Sequence, residues 1–397
     1  MTYKTYMIFV LGCLLLAGCA REDEAAVETV ASGAVPIAFQ TILSPSEEEE
    51  YSTRAGYTGN LTNENHQLRY TGLGVFMATN GATKPDIMFN QEVDFVFLAD
   101  GSEDGYWTYS PLKYWPADAV GVSIYAYAPY VPFASLPDAG SGIINISDNN
   151  ETIPHILYAR AKHPEGNVDL LWHYHQVAAE DAFLVGDDHR PSMGNAIPLN
   201  MQHALARVKL SLGITNGSSL AAGEKLLVKR VTLKGNFAKT GQLNLNSTGT
   251  TPTWTSQELA DPTDDGDNDN SIIIIDCNPE TCPASYGIID EKARYLDNLP
   301  GRWQPAGLPH VDYDDTDADT KAATSTNLLC MGDAVSYLYL IPQTGLEFTC
   351  VLDYCIVSAD GSTITSCQRP EDGPYTISSL GTLDGNKTYD LTLKITI

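Results

Sequence analysis

The chain has 397 residues, enough for two or three domains at about 150 residues each. Apolar residues make up 43% and charged residues 18%, which supplies packed cores and excludes a wholly disordered chain. Its 50 acidic against 23 basic side chains give a net charge of −27. A surface of that sign repels phosphate backbones, so nucleic acid is excluded as a partner.

The N-terminus reads as an address. Residues 1–19, MTYKTYMIFVLGCLLLAGC, place Lys4 ahead of an apolar run from Met7 to Leu16. That run is too short to cross about 30 Å of hydrocarbon and has the length of a secretory h-region. It ends in Leu16-Ala17-Gly18-Cys19, the pattern of a bacterial lipobox, in which small residues admit the peptidase and the Cys thiol is then acylated. An ordinary signal peptide with an incidental Cys is the plain alternative, but position, small neighbours and thiol all agree on lipidation. Residues 1–18 are therefore expected to leave as a lipoprotein signal peptide. Cys19 is expected to hold the protein to the outer membrane through its lipid. The next residues, Ala20-Arg21-Glu22-Asp23-Glu24, resemble the acidic signal that sends some lipoproteins to the cell surface, where a bare charge run would be a solvated linker.

Residues 20–34 form a charged, Ala-rich tether without periodicity. In 35–42 (VPIAFQTI), Ile37 and Phe39 alternate with Ala38 and Gln40 as in a strand. Residues 44–53 contain four consecutive Glu, whose mutual repulsion keeps the stretch extended and leaves Arg54 open to a protease. Residues 19–54 thus read as a tether plus a strand that cleavage between Arg54 and Ala55 would release.

From Gly72 onward, short apolar segments are broken by Gly, Pro, Asn and Asp. Strands are predicted at 73–78 (LGVFMA), 93–98 (VDFVFL) and 120–128 (VGVSIYAYA). In 206–214, Ala206, Val208, Leu210, Leu212 and Ile214 alternate with polar or small residues. In 388–397, Tyr389, Leu391, Leu393, Ile395 and Ile397 do the same. A period of two places each apolar set on one buried face. A short helix is expected at 291–298. Many short strands with frequent turn signals predict an all-β chain of two β-sandwich domains, 55–200 and 201–397, joined near 198–203.

Four features in this order resemble the fimbrillin-like family of type V pilus subunits. They are the lipobox followed by PIAFQTI and Thr53-Arg54-Ala55; then Leu73-Gly74-Val75-Phe76; then Tyr114-Trp115-Pro116 with Ile124-Tyr125-Ala126-Tyr127-Ala128-Pro129-Tyr130; and His203-Ala204-Leu205-Ala206-Arg207-Val208. The resemblance covers essentially the whole chain. It implies two transthyretin-like sandwiches and a surface fimbrium assembled with other pilus subunits. It also implies donor-strand exchange, with the C-terminal strand carrying Tyr389, Leu391, Leu393, Ile395 and Ile397 as the donor. The Cys-rich, Asp-rich insertions of the second half depart from a standard stalk subunit.

Of the 8 Cys, Cys13 leaves with the leader and Cys19 takes lipid, so Cys277, Cys282, Cys330, Cys350, Cys355 and Cys367 remain as disulfide candidates. An exported compartment permits disulfides, and six Cys allow 15 connectivities. A hairpin turning at Asp360-Gly361 would set Cys355 nearly opposite Cys367. Cys277 and Cys282 could close a small loop around Pro279, leaving Cys330 with Cys350. A zinc site is disfavoured, since no Cys-x-x-Cys pair or His spacing supports it. Two aspartate clusters, at 261–269 and 312–319, read as solvated loops. The first can be laid on a calcium loop ending at Asp276, but Asn270 stands where that motif needs Gly. His173 and His175 would share a strand face without an identifiable third ligand, so no metal is assigned. The aromatic run Tyr106, Trp107, Tyr109, Tyr114 and Trp115 could stack on sugar, although packing is the better reading. There is no nucleophile elbow, phosphate-cradling Gly loop or metalloprotease helix, so no catalytic site and no cofactor are read. The favoured function is a structural or adhesive pilus subunit that meets a host glycan or protein. The rival is a surface-anchored glycan-binding lipoprotein that never polymerises.

The lipobox generates the first prediction. Cys19→Ala should accumulate as unprocessed precursor without an acyl chain; unchanged partitioning and migration in detergent extraction would remove the lipid from the account.

Overall fold

A computed structural model describes residues 36–43, 67–99, 105–116, 121–136, 140–148, 153–162, 164, 167–177, 196–214, 221, 224–263, 270–276, 294–297, 303–305, 330–331, 334–335, 337–357, 364–368 and 375–395. The leader and Cys19, Arg54 and Ala55, Cys277 and Cys282, the acidic clusters other than Asp261, and Ile397 lie outside the described residues.

The chain opens with β1 (Phe39–Leu43), the single-turn helix α1 (Gln67–Thr71), β2 (Leu73–Thr79), β3 (Met88–Phe97), β4 (Gly105–Thr108) and β5 (Val122–Ala128). Four strands follow, β6 (Gly142–Ile146), β7 (His155–Ala159), β8 (Leu171–Val177) and β9 (Ile197–His203). The second half starts with β10 (Ala206–Ile214), β11 (Lys225–Gly235), β12 (Ala238–Asn244), β13 (Thr253–Leu259) and β14 (Ser271–Asp276). Shorter strands come next: β15 (Arg294–Asp297), β16 (Trp303–Pro305), β17 (Cys330–Met331), β18 (Ala334–Val335) and β19 (Leu338–Leu340). The chain closes with β20 (Gln343–Val357), β21 (Ile364–Gln368), β22 (Tyr375–Leu383) and β23 (Thr388–Ile395). The fold is all-β, as the period-two patterning predicts.

A seven-stranded sheet in the order β1-β9-β8-β5-β2-β3-β4 dominates the first half. Its middle strands are buried on both faces because they serve two cores. Val75, Met77, Ile124 and Ala126 enter a core with Leu73, Val93 and Leu199. Their neighbours Phe76, Tyr125 and Tyr127 enter another, with Tyr158, Trp172 and Leu243. Gly74 allows this close packing, since a Cβ there would lie 2.0 Å from the Tyr127 ring. In the second half, the sheet β19-β10-β23 faces one built on β11 and β20, and Val208, Leu210, Val231, Leu233, Phe348 and Leu391 fill the space between them.

A four-stranded sheet, β13-β12-β7-β6, draws strands from both halves of the chain. Here Thr240–Asn244 of β12 pairs antiparallel with His155–Ala159 of β7. Residues 198–203, where a junction is expected, lie within β9, and the chain passes from the first sheet to β10 through Ala204 and Leu205. The expected helix at 291–298 is corrected: residues 294–297 form β15, paired antiparallel with Lys225–Val228 of β11. The local run Glu291-Lys292-Ala293-Arg294 favours helix, and the backbone pairing offered by β11 overrides it.

Three buried polar side chains are linked across that passage. His203 Nδ1 lies 2.9 Å from Asp169 Oδ2, and Arg207 Nη1 lies 3.3 Å from His203 Nε2. A guanidinium only donates, so Nε2 accepts and Nδ1–H donates to the carboxylate. Asp169 and His203 are 0% exposed and Arg207 is 1% exposed, with the guanidinium 5.5 Å from the Tyr337 ring centroid. Removing one member leaves a charge buried without its partner. Asp169→Ala should therefore cost about 3–5 kcal/mol in denaturant unfolding. Glu258→Ala, which breaks the exposed pair with Lys239, should cost less than about 1 kcal/mol. Equal effects would remove the buried network from the account of stability.

Candidate functional site

The segment 36–43 sits at one end of the seven-stranded sheet, between β9 and residues 113–114. On one side, Pro36 bridges Tyr114 in antiparallel fashion and the Ile37 N–H donates to the Lys113 carbonyl at 2.9 Å. On the other, the Ile197 N–H donates to the Ala38 carbonyl at 2.8 Å, and Phe39–Leu43 runs parallel to Ile197–Met201 in register. Side chains alternate as the sequence predicts. Ile37 and Phe39 are 2% and 4% exposed within the first core, while Pro36, Ala38 and Gln40 face solvent. Tyr109 anchors the segment twice. Its ring lies 5.8 Å from that of Phe39, and its hydroxyl donates to the Ile37 carbonyl at 2.8 Å. Burial pushes the Tyr109 hydroxyl up to about 12, so it remains a donor at any physiological pH. Withdrawal of the segment would leave a slot lined by Tyr109, Trp115, Ile197 and Leu199, with backbone groups of Lys113 and Ile197 unpaired.

The expected donor strand occupies a matching position in the second half. β23 runs parallel to β10, pairing Val208 with Tyr389, Leu210 with Leu391, Leu212 with Leu393 and Ile214 with Ile395. Leu391 and Leu393 are 8% and 6% exposed, whereas Asp390 and Thr392 face water. β23 lies at the edge of its three-stranded sheet and completes its own sandwich. Both β1 and β23 are thus edge strands with one parallel neighbour, and those neighbours, β9 and β10, are consecutive in the chain.

Other candidate residues fall in different places. Cys350 is corrected as a disulfide partner: its thiol is free and 2% exposed among Leu233, Phe348 and Leu352, and burial pushes it up to about 12. Cys330, its suggested partner, lies in β17 opposite Val335. Cys355 lies directly opposite Cys367 in the β20–β21 pair. The aromatic run is divided. Tyr109 and Trp115 are core, Trp107 packs against the same core, and Tyr106 is 56% exposed. His173 and His175 do share a face, with rings 5.9 Å apart and 16° from parallel, but among the described residues no three His, Cys, Asp or Glu side chains converge as metal ligands.

At the first acidic cluster, Asp261 Oδ1 accepts from the Thr263 N–H and hydroxyl. Asn270 donates to the Asp261 and Pro262 carbonyls, and Ser271–Asp276 is a strand paired with β11. That strand occupies the second half of the stretch a calcium loop would need. Two features gave no sequence signal: the pairing of residues 36–37 with 113–114, and the anchoring role of Tyr109. Both depend on contacts about 70 residues apart along the chain, which local periodicity does not encode.

One half-buried histidine carries a pH consequence. Desolvation, reinforced by the neighbouring His175, lowers His173 from 6.5 to about 4. The unfolded chain therefore takes up this proton first, so the contribution is complete above pH 6.5 and is lost as pH falls towards 4. Unfolding free energy should drop over that window by up to roughly 3 kcal/mol from this group, and His173→Gln should flatten that part of the profile. An unchanged profile would reject the assignment.

A family model described as fimbrillin-like matches residues 53–397. No curated protein matches the chain. Among solved structures, the chain is similar to a fimbrial protein from Bacteroides vulgatus, at 17% identity and a TM-score of 0.48, over 91% of this chain and 95% of that one. It is also similar to a candidate cell adhesion protein from Bacteroides uniformis, at 13% identity and a TM-score of 0.40, over 91% and 93% of the two chains. With the match running from residue 53 through the closing strand β23, the chain belongs to the fimbrillin-like family.

Proposed function

We propose that this protein is a structural or adhesive subunit of a surface pilus, exported as a lipoprotein through Cys19 and assembled by donor-strand exchange after cleavage between Arg54 and Ala55. The observation that carries the proposal is the slot held by residues 36–43. Ile37 and Phe39 are its two deeply buried apolar anchors, and at about 1.5–3 kcal/mol each they contribute roughly 3–6 kcal/mol. While the segment is continuous with the rest of the chain, that is enough to hold it in place. Once it is cut free, binding must also offset the loss of translational and rotational freedom, which costs about as much or more. A severed segment with two anchors is thus held weakly enough to be replaced. An incoming strand with apolar residues at period two would re-pair the backbone of Ile197 and Lys113 and refill the core. The C-terminal strand has that pattern through Tyr389, Leu391, Leu393, Ile395 and Ile397.

A second reading, a glycan-binding lipoprotein that does not polymerise, is favoured by the exposed rings of Tyr70 and Tyr106, which are 60% and 56% accessible. Retention on immobilised glycans with no assembly after cleavage would establish it.

Arg-specific cleavage of the purified protein should produce a ladder of oligomers, whereas Arg54→Ala and a truncation after Asn386 should remain monomeric. Because β23 also completes its own sandwich, the truncation is paired with a second measurement on the intact chain. A peptide of residues 388–397, added during cleavage, should occupy the slot and shorten the ladder. Equal assembly by all forms, or a peptide without effect, would count against donor-strand exchange.

A further inference from the structure

We propose that Cys355 and Cys367 form a cross-strand disulfide that staples the edge strand β21 to β20. Antiparallel pairing sets Tyr354 against Gln368, Cys355 against Cys367 and Ile356 against Ser366. Residues directly opposite in an antiparallel pair have Cα atoms about 4.5–5.5 Å apart. A disulfide needs roughly 4.4–6.8 Å, so a directly opposed pair is within reach of the bond. The remaining thiol on β20 does not compete. Cys350, Leu352, Tyr354 and Ile356 make up the buried, core-facing row of that strand, and position 355 belongs to the other row.

The chemistry balances by exchange with a disulfide-bonded oxidoreductase of the exporting compartment. One thiolate attacks its disulfide, the second displaces the mixed disulfide, and the oxidoreductase leaves as a dithiol with the two electrons and two protons. An export leader places the chain where such oxidants operate.

The bond ties down a terminal strand of this sheet. β20 is flanked by β11 along most of its length, pairing Leu227 with Cys355 and Leu233 with Cys350. β21 ends the sheet order, among the described residues it pairs with β20 alone, and its register shifts between Ile356 and Val357. Such an edge invites pairing with another chain. A covalent tie blocks its peeling, and so directs strand addition to the slot at β9 rather than to the flank of the second sandwich. That consequence for assembly rests on the proposed function; the bond rests on its export step alone.

Protein purified without reductant should be unfolded in an alkylating agent and cut before aspartate, which separates fragments 353–359 and 360–371. The expected product is these two fragments joined, 2 Da lighter than the sum of their thiol forms, with Cys350 alkylated only on unfolding. Two separately alkylated fragments would overturn the bond. In the Cys355→Ser/Cys367→Ser double variant, hydrogen exchange of the β21 amides should accelerate about tenfold or more, with the β11 amides unchanged. Unchanged exchange in β21 would overturn the stapling role. Loss of the oligomer ladder in unaltered protein would instead reject the pilus reading and leave the mass result standing.

Discussion

The first sheet is complete because a short segment far upstream covers its β9 edge. Residues 36–43 meet Lys113 and Tyr114 on one flank and β9 on the other, and two apolar side chains seal the core beneath. Every other strand of that sheet is held by neighbours within 67–203, whereas this one arrives from across the 44–66 stretch. It is an edge strand, and its removal would uncover the core under Ile37 and Phe39 and the Tyr109 hydroxyl.

The surroundings of the slot are stiff by construction. β2 and β5 send alternate residues into two cores, and residues 337–341 do the same, with Leu338 and Leu340 in one and Tyr337, Tyr339 and Ile341 in another. A strand shared by two cores cannot shift without disturbing both, since interiors packed at crystal-like density transmit displacement rather than absorb it. The sheet that mixes β6 and β7 with β12 and β13 extends this coupling across both halves of the chain. The Asp169–His203–Arg207 network then fixes the geometry where β9 gives way to β10. Exchange at one edge is compatible with a frame that does not otherwise rearrange.

How much of this was legible in the sequence depended on whether the deciding contact was local. β10 was readable as a strand, because Ala206 to Ile214 alternates over its full length, but the burial of Arg207 between Ala206 and Val208 was not. β1 and β23 followed from the same rule, β2 from its short apolar run, and the alternation at Ile37 and Phe39 marked the candidate site's anchors. β15 was not readable, since its helix-favouring composition yields to a partner about 70 residues away. The pairing of Cys330 with Cys350 came from elimination, and spacing says nothing about depth. The signal that Cys350 is core was nonetheless present, two residues before Leu352 in an alternating row that continues through Tyr354 and Ile356. Cys355 and Cys367 were placed together by a turn signal, the kind of short-range information a sequence does carry.

The arrangement of parallel edges has a mechanical meaning. β1 lies along β9 and β23 along β10, with only Ala204 and Leu205 between the two supporting strands. If subunits are linked through these edges, tension enters along one parallel pair and leaves along the next, and its line runs through the backbone of β9 and β10 rather than through side-chain contacts. Strands pulled along their length load their hydrogen bonds together, in shear, instead of opening one after another from an end. A filament joined in this way would resist stretching far better than the modest affinity of any single inserted strand suggests.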